Sequence, residues 1–322
     1  GLETRLVPEA GFRLELVRSG QLKNVSLGTR AKTMVDLPRG VRECVRLIRE
    51  FRPQVVVGVG GYASGPGMLA AILLRVPTLA FEPNAVPGMT NRLVGARVSA
   101  AAVNFEQTRR YFRNARVTGI PVRAEFFAAR TDGGDAGRRL LVTGGSQGAR
   151  ILNEAVPKIA GRLLERFTDL EIVHQAGGRH GSSAEQAYAA AGMLGEAVEG
   201  RVRVQPYLED MPEEFGRASL VLCRSGASTV AELAAAGRAS LLVPFARAAD
   251  DHQRKNAEVF EAAGAARMLT EGELSEERLL ACLTELLEDT TRLREMGEHA
   301  RKLARPNAVR EIGEMIAELA GR

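Results

Sequence analysis

The sequence has no tryptophan, only 5% aromatic residues, and three cysteines in 322 residues. So few aromatics argue against the stacking platforms that hold single-stranded nucleic acid. Cys44, Cys223 and Cys282 are widely spaced and form no CxxC pair. They read as small buried side chains in a reducing compartment rather than as a disulfide framework or a zinc site. The longest apolar runs, around residues 55–57 and 241–243, fall well short of the roughly 20 residues that a membrane-spanning helix needs. No leader peptide is visible, and the expected compartment is the cytoplasm. An initiating Met is also lacking. The opening GLETRLVPEAGF reads as a helix-like stretch that meets Pro8 and a Gly turn, so upstream sequence is expected. No convincing DxD pair is found, and neither a metal nor a cofactor is expected.

What is present is a soluble globular composition, 45% hydrophobic and 26% charged, long enough for two domains. The net charge of +5 is unevenly spread: residues 1–123 carry 19 Lys and Arg against 8 Asp and Glu, and the remainder 25 against 31. A basic half suits an anionic partner, and the plainer reading is a solubilising Arg-rich surface. Near residues 39–49, Val41, Cys44, Val45 and Ile48 fall on one helical face, with Arg39, Arg42, Arg46 and Arg49 largely off it. As a lone feature this is a solvated face, with lipid contact the minority alternative.

Two segments share one plan, PQVVVGVGGYASGPGMLAAILL at 53–74 and RRLLVTGGSQGARILNEAVPKIAGRLLE at 138–165. Each runs from an apolar strand through a Gly-rich turn into a helical pattern. Continuous Val/Leu runs of this kind mark parallel strands covered on both faces. LEIVHQAG, VRVQPYL, ASLVLCRSGASTVAELAAAG and ASLLVPFA continue the alternation. The expected class is α/β, with each half doubly wound. Residues 124–137, with Gly133 and Gly134 flanked by Asp132 and Asp135, read as the linker between a domain of residues 1–123 and one of 138–305. A C-terminal helix at 306–322 is expected, packing back on the first domain.

Parallel sheets carry their functional loops at the carboxyl ends of the strands. The GGSQGAR turn at 144–150 offers backbone N–H groups at a helix start, with the Ser146 hydroxyl beside them, a geometry suited to phosphate. Residues 223–237 are a stronger signal. Ser225, Gly226, Ala227, Ser228 and Thr229 are small or hydroxylic and open a helix, and Glu232 lies close behind, in reach of vicinal ribose hydroxyls. The plainer role for Glu232 is to complement the helix dipole, worth about 0.3–1 kcal/mol. A third loop, 58–67, has five glycines in ten residues and allows close approach of a ligand. Beyond it, Glu82 and Asn84 occupy a Pro-rich turn.

GGYASGP, FEPNAVPGMTNR, GIPVR, GGSQGARILN, CRSGASTVAELAAAG and DDHQRKNA resemble, in order and at near-regular spacing over the whole chain, the successive signatures of the MurG family. The resemblance implies a GT-B fold, two Rossmann-like domains facing a cleft, one for acceptor and membrane and one for donor. It implies transfer of N-acetylglucosamine from UDP-N-acetylglucosamine to undecaprenyl-pyrophosphoryl-N-acetylmuramyl-pentapeptide in peptidoglycan synthesis, hence a part in cell shape and division. The place implied is the cytoplasmic face of the bacterial inner membrane, as a peripheral protein on an anionic surface, beside other cell-wall synthesis proteins and without nucleic acid. By the same resemblance Arg123, Ser146, the turn Ala227, Ser228, Thr229, Val230, Ala231 and Glu232, and Gln253 are donor contacts. Leu208 is expected to hold uracil through its backbone, Asn84 to face the cleft from the acceptor side, and Asn256 to be a neighbouring polar contact. His174, His180 and His299 match no role in the family.

Two departures bear on catalysis. The family opens with a strand and a GGTGGH-type loop whose histidine is a proposed base, and no counterpart occurs in residues 1–322. Phe81 also replaces the histidine usual before Glu-x-Asn. Donor binding with slow or no transfer is therefore the expectation for residues 1–322, with Glu82 and His252 the remaining candidates for a base. The resemblance implies an inverting attack of a muramyl C4 hydroxyl on the anomeric carbon, with UDP leaving toward helix N-termini and Arg123. The alternatives are a UDP-N-acetylglucosamine epimerase, which shares the two-domain fold, and a catalytically incomplete nucleotide-sugar-binding fragment.

Overall fold

The computed structural model describes residues 3–17, 27–128, 137–178, 181–194, 198 and 200–321. The chain forms two compact units, one of Gly1–Glu82, Pro87–Val117 and Ile312–Arg322, the other of Pro83–Val86 and Thr118–Glu311.

In the first unit the elements run α1 (Glu3–Glu9), α2 (Leu27–Phe51), β1 (Val56–Gly58), α3 (Gly61–Leu73), β2 (Thr78–Glu82), α4 (Met89–Val94), β3 (Ala100–Val103) and β4 (Ala115–Val117). The four strands are parallel and lie in the order β1-β2-β3-β4. Met68, Ala80, Val94, Val98, Ala101, Val103 and Phe112 close one core cluster of this unit. On α2, Cys44 is buried and Val41, Val45 and Ile48 are half-buried, while Arg39, Arg42, Arg46 and Arg49 are exposed, as the helical spacing requires. The strand VVVGV departs from the reading of strands covered on both faces. Val57 is 40% and Val59 69% exposed, because among the described residues β1 pairs with β2 alone. The Gly-rich stretch 58–67 is also mostly helix, since α3 begins at Gly61.

The second unit continues with α5 (Ala124–Ala128), β5 (Arg139–Thr143), α6 (Arg150–Arg166), β6 (Glu171–Gln175), α7 (Gly181–Ala190), β7 (Val202–Gln205), α8 (Met211–Arg217), β8 (Leu220–Cys223), α9 (Ala227–Ala236), β9 (Ser240–Leu242), α10 (His252–Ala262), β10 (Ala266–Met268), α11 (Glu276–Glu288), α12 (Thr290–Lys302) and α13 (Ala308–Ala320). Its six strands are all parallel, in the order β10-β9-β8-β5-β6-β7. Every residue of β5, β8 and β9 is buried, the mark of a sheet covered on both faces. Leu140, Val142, Leu220, Leu222 and Leu241 join Leu152, Val156, Ile159 and Leu163 of α6 and Leu279, Leu283 and Leu286 of α11 in one cluster.

The division between units differs from the expected boundary at residue 123. The chain changes unit after Val117, and the stretch expected to be linker begins as helix α5. The physical reason is Phe126, fully buried and edge-on to Phe215 of α8 at 5.3 Å between ring centroids, a pairing worth about 0.5–1.5 kcal/mol beyond area burial. Residues 129–136 of that linker lie outside the described residues. From Ile312 onward α13 belongs to the first unit. Ile312, Met315, Ile316 and Leu319, at helical spacing, meet Leu79 of β2 and Ala102 of β3. Among the described residues no helix is long and apolar enough to cross a membrane.

Candidate active site in the second unit

The chain lays down β5, β6 and β7 in one direction, then returns to place β8 beside β5 and builds β9 and β10 the other way. Adjacent parallel strands whose connections depart in opposite directions leave a crevice at their carboxyl ends. The strands at this switch point, β5 and β8, are the two that run into 144–149 and 224–226, the small-residue turns singled out in the sequence.

After β5 the chain turns tightly, with Gly148 N donating to Gly145 O at 3.0 Å and Gly145 N donating to Thr143 Oγ1 at 3.1 Å. Glycine is required at 148, where φ is +75° and a Cβ would sit 2.0 Å from Ala176 O. The β5 turn and the β6 turn are thus pressed backbone to backbone, which leaves Ser146 exposed at the tip. Gln175, at the end of β6, ties the neighbourhood together. Its Nε2 donates to Gly145 O at 3.3 Å, and its Oε1 accepts from Leu208 N at 3.2 Å. The Leu208 amide is therefore engaged, and a backbone contact to a base falls to its carbonyl or displaces Gln175.

After β8, Gly226 is the N-cap of α9 and no side chain caps the first turn. The opening N–H groups of a helix have no intrahelical partner and carry the positive end of its dipole, so Ala227, Ser228 and Thr229 present an anion-binding turn. Ser228 and Glu232 lie four residues apart on one face of α9. Val230 is fully buried, so its side chain belongs to the core and only its backbone is left for a ligand. Burial pushes the Glu232 carboxyl up to about 7, while Arg123 pulls it down. Arg123 lies over the Phe126 ring at 5.2 Å, so the anchoring of α5 through Phe126 also sets the arginine toward Glu232. Near neutrality this carboxyl sits between charge states, as site groups often do.

The third wall is α10. Gln253 Oε1 accepts from Phe245 N at 3.0 Å, and its backbone carbonyl accepts from Ser225 Oγ at 2.8 Å. Asn256 needs correction as a ligand contact. It is 0% exposed and its amide is taken up internally by Ala85, Asn84 and Ser225. Asn84 itself is half-buried and belongs, with Pro83–Val86, to this unit.

Of the two candidate bases, Glu82 is not placed for the task. Glu82 is 2% exposed, and its Oε2 accepts from Gly88 N at 3.1 Å and from Asn91 Nδ2 at 2.9 Å, so it latches the Pro-rich turn. His252 begins α10, with Nδ1 2.5 Å from Ala249 O, and orients the loop there. His174 is fully buried between Tyr188 OH and Asn153 Oδ1, and desolvation lowers it to about 3, which keeps the ring neutral. His299 meets Gly264 O, and His180 lies outside the described residues. Gln175 escaped the sequence reading, its only signal being a polar residue at the end of the apolar run LEIVHQ.

The description of the glycosyltransferase family 28 C-terminal domain matches residues 139–312, and that of the family 28 N-terminal domain matches residues 1–103. The chain belongs to glycosyltransferase family 28. This family 28 chain is 40% identical over 322 residues to the UDP-N-acetylglucosamine--N-acetylmuramyl-(pentapeptide) pyrophosphoryl-undecaprenol N-acetylglucosamine transferase of Solibacter usitatus, covering 99% of this chain and 86% of that protein. It is 41% identical to the protein of the same name from Stutzerimonas stutzeri, covering 99% and 88%. The crystal structure of Acinetobacter baumannii MurG matches with a TM-score of 0.79 at 30% identity, covering 99% of this chain and 88% of that one. Its fold is accordingly of the GT-B type, with two Rossmann-like α/β domains. A UDP-N-acetylglucosamine 2-epimerase from Neisseria meningitidis matches at TM-score 0.62 and 13% identity, a likeness of fold alone.

Proposed function

We propose that this family 28 chain is an inverting transferase that moves N-acetylglucosamine from UDP-N-acetylglucosamine to the C4 hydroxyl of undecaprenyl-pyrophosphoryl-N-acetylmuramyl-pentapeptide. The observation that carries the reading is the uncapped first turn of α9 joined to Glu232 and Arg123, in a chain 40% identical over nearly its whole length to transferases of that name. The diphosphate is received by the amides of Ala227, Ser228 and Thr229 and by Ser146 at the tip of the β5 turn. Glu232 accepts from the ribose hydroxyls, Leu208 meets uracil through its backbone, and Gln253 and Asn84 line the sugar.

The acceptor oxygen forms a bond to the anomeric carbon as the bond from that carbon to the diphosphate oxygen breaks. The electron pair leaves with UDP, and the hydroxyl proton passes to a general base. Charge developing on the leaving diphosphate is met by the α9 dipole and by Arg123, fixed donors that need no reorganisation during the step. Replacing Glu232 by Ala removes charge-assisted hydrogen bonds worth about 1.5–3 kcal/mol. Calorimetric titration with UDP-N-acetylglucosamine is the test, and unchanged affinity in a folded variant rules the role out.

The basic surface of residues 1–123, with the exposed arginines of α2, suits the anionic inner leaflet on which a lipid-linked acceptor resides. Peripheral binding there is electrostatic and weakens with salt. Cosedimentation with anionic vesicles that is insensitive to salt speaks against it.

A further inference from the structure

We infer that Asn256 is a positioning residue, which registers the Asn84 segment against the diphosphate-binding entry of α9 without itself touching the ligand. The inference rests on the functional reading above. Asn256 Oδ1 accepts from Ala85 N at 2.9 Å, and its Nδ2 donates to Asn84 Oδ1 at 3.2 Å and to Ser225 O at 3.1 Å. The amide has one chemically sensible orientation, because a flip would set its NH2 against the Ala85 N–H and its oxygen against two acceptors. Ser225, also 0% exposed, immediately precedes Gly226, the N-cap of α9. Its hydroxyl is tied to α10, the helix that carries Asn256, through Gln253 O. One buried side chain thus fixes two segments that are 141 residues apart in sequence, counted from Asn84 to Ser225. One carries the polar side chain expected at the sugar, the other the turn expected at the diphosphate. A site of this kind requires its ligand groups to be held to within about 0.5 Å.

The test combines Asn84→Ala, Asn256→Ala and the double variant, with calorimetric affinity for UDP-N-acetylglucosamine and hydrogen exchange of the full chain. Asn256→Ala is expected to weaken the donor about tenfold, with Asn84→Ala adding no more than about twofold on top of it. Exchange should quicken at 83–86 and at 224–229. Asn256→Asp keeps the acceptor for Ala85 N and loses the donors, so exchange should quicken mainly at 224–229. A packing role alone would lower the melting temperature while the two losses in affinity simply multiplied, and that result overturns the inference. If Asn256→Ala does not fold, Asn84→Ala must still quicken exchange at 224–229, and unchanged exchange there is equally fatal. Wild-type protein that does not bind UDP-N-acetylglucosamine overturns the functional reading instead, whereas wild-type binding with multiplicative losses overturns the positioning role only.

Discussion

Affinity for the nucleotide sugar should rise with pH through neutrality, because Glu232 must be ionised to accept both ribose hydroxyls. In the free protein burial lifts this carboxyl from its ordinary 4.5 to about 7. A group of that pKa is about nine-tenths neutral at pH 6 and about one-tenth neutral at pH 8. Apparent affinity at pH 6 should therefore be about tenfold below its plateau above pH 8, and binding at pH 7 should release about half a proton. UDP-N-acetylglucosamine is the ligand to use, since its diphosphate is esterified at both ends and lacks the ionisation near pH 6 of a terminal phosphate. Calorimetry at several pH values, in buffers of different ionisation enthalpy, reads both quantities. Glu232→Gln should abolish the slope and converge with wild type at low pH. The same shift has a consequence for folding. The native carboxyl holds its proton between pH 4.5 and about 7 while the unfolded one has lost it, so stability falls as pH rises through that window, by about 3 kcal/mol in all. Glu232→Gln should flatten that profile and be the more stable protein at pH 8. A wild-type affinity that is level from pH 6 to 8, or a Gln variant that keeps the slope, refutes the reasoning.

Arg123→Met withdraws the charge that pulls the Glu232 carboxyl down, so the midpoint of the same titration should move to higher pH; a midpoint that stays put or falls separates the two residues. Gly148→Ala drives a Cβ to 2.0 Å from Ala176 O at a φ of +75°, costing at least about 1–3 kcal/mol, and both melting temperature and donor affinity should drop. Arg139 is 8% exposed and donates to Glu214, 10% exposed, at 3.0 Å. Arg139→Met leaves Glu214 with Arg203 as its remaining cationic partner and should cost about 1–3 kcal/mol in urea denaturation, with Arg139→Met/Glu214→Leu recovering much of the loss.

The second unit was legible in the sequence because its signals are local. The runs LLVT and LVLC enter glycines and leave as helices, and the structure makes them β5 and β8 at the switch point. Glu232 and the turn before it were read from spacing along a single helix, which one period of 3.6 residues is enough to place. What escaped depends on partners distant in the chain. Nothing local to Asn256 announces Ala85, 171 residues away, so a buried clamp looked like a ligand contact. Glu82 resembled a candidate base for the same reason, as its consumption by Gly88 and Asn91 is a property of the folded turn. The helix α5 was hidden among linker residues because it is only five residues long and its anchor for Phe126, Phe215, lies across the fold.

The most direct measurement is product analysis by mass spectrometry of UDP-N-acetylglucosamine incubated with the chain, with and without a lipid-linked muramyl-pentapeptide acceptor. The expected result is slow UDP release and a disaccharide-bearing lipid only when the acceptor is present, with the nucleotide sugar otherwise unchanged. Conversion of UDP-N-acetylglucosamine to its C2 epimer without acceptor, or an acceptor left unmodified while the nucleotide sugar is consumed, contradicts the transferase.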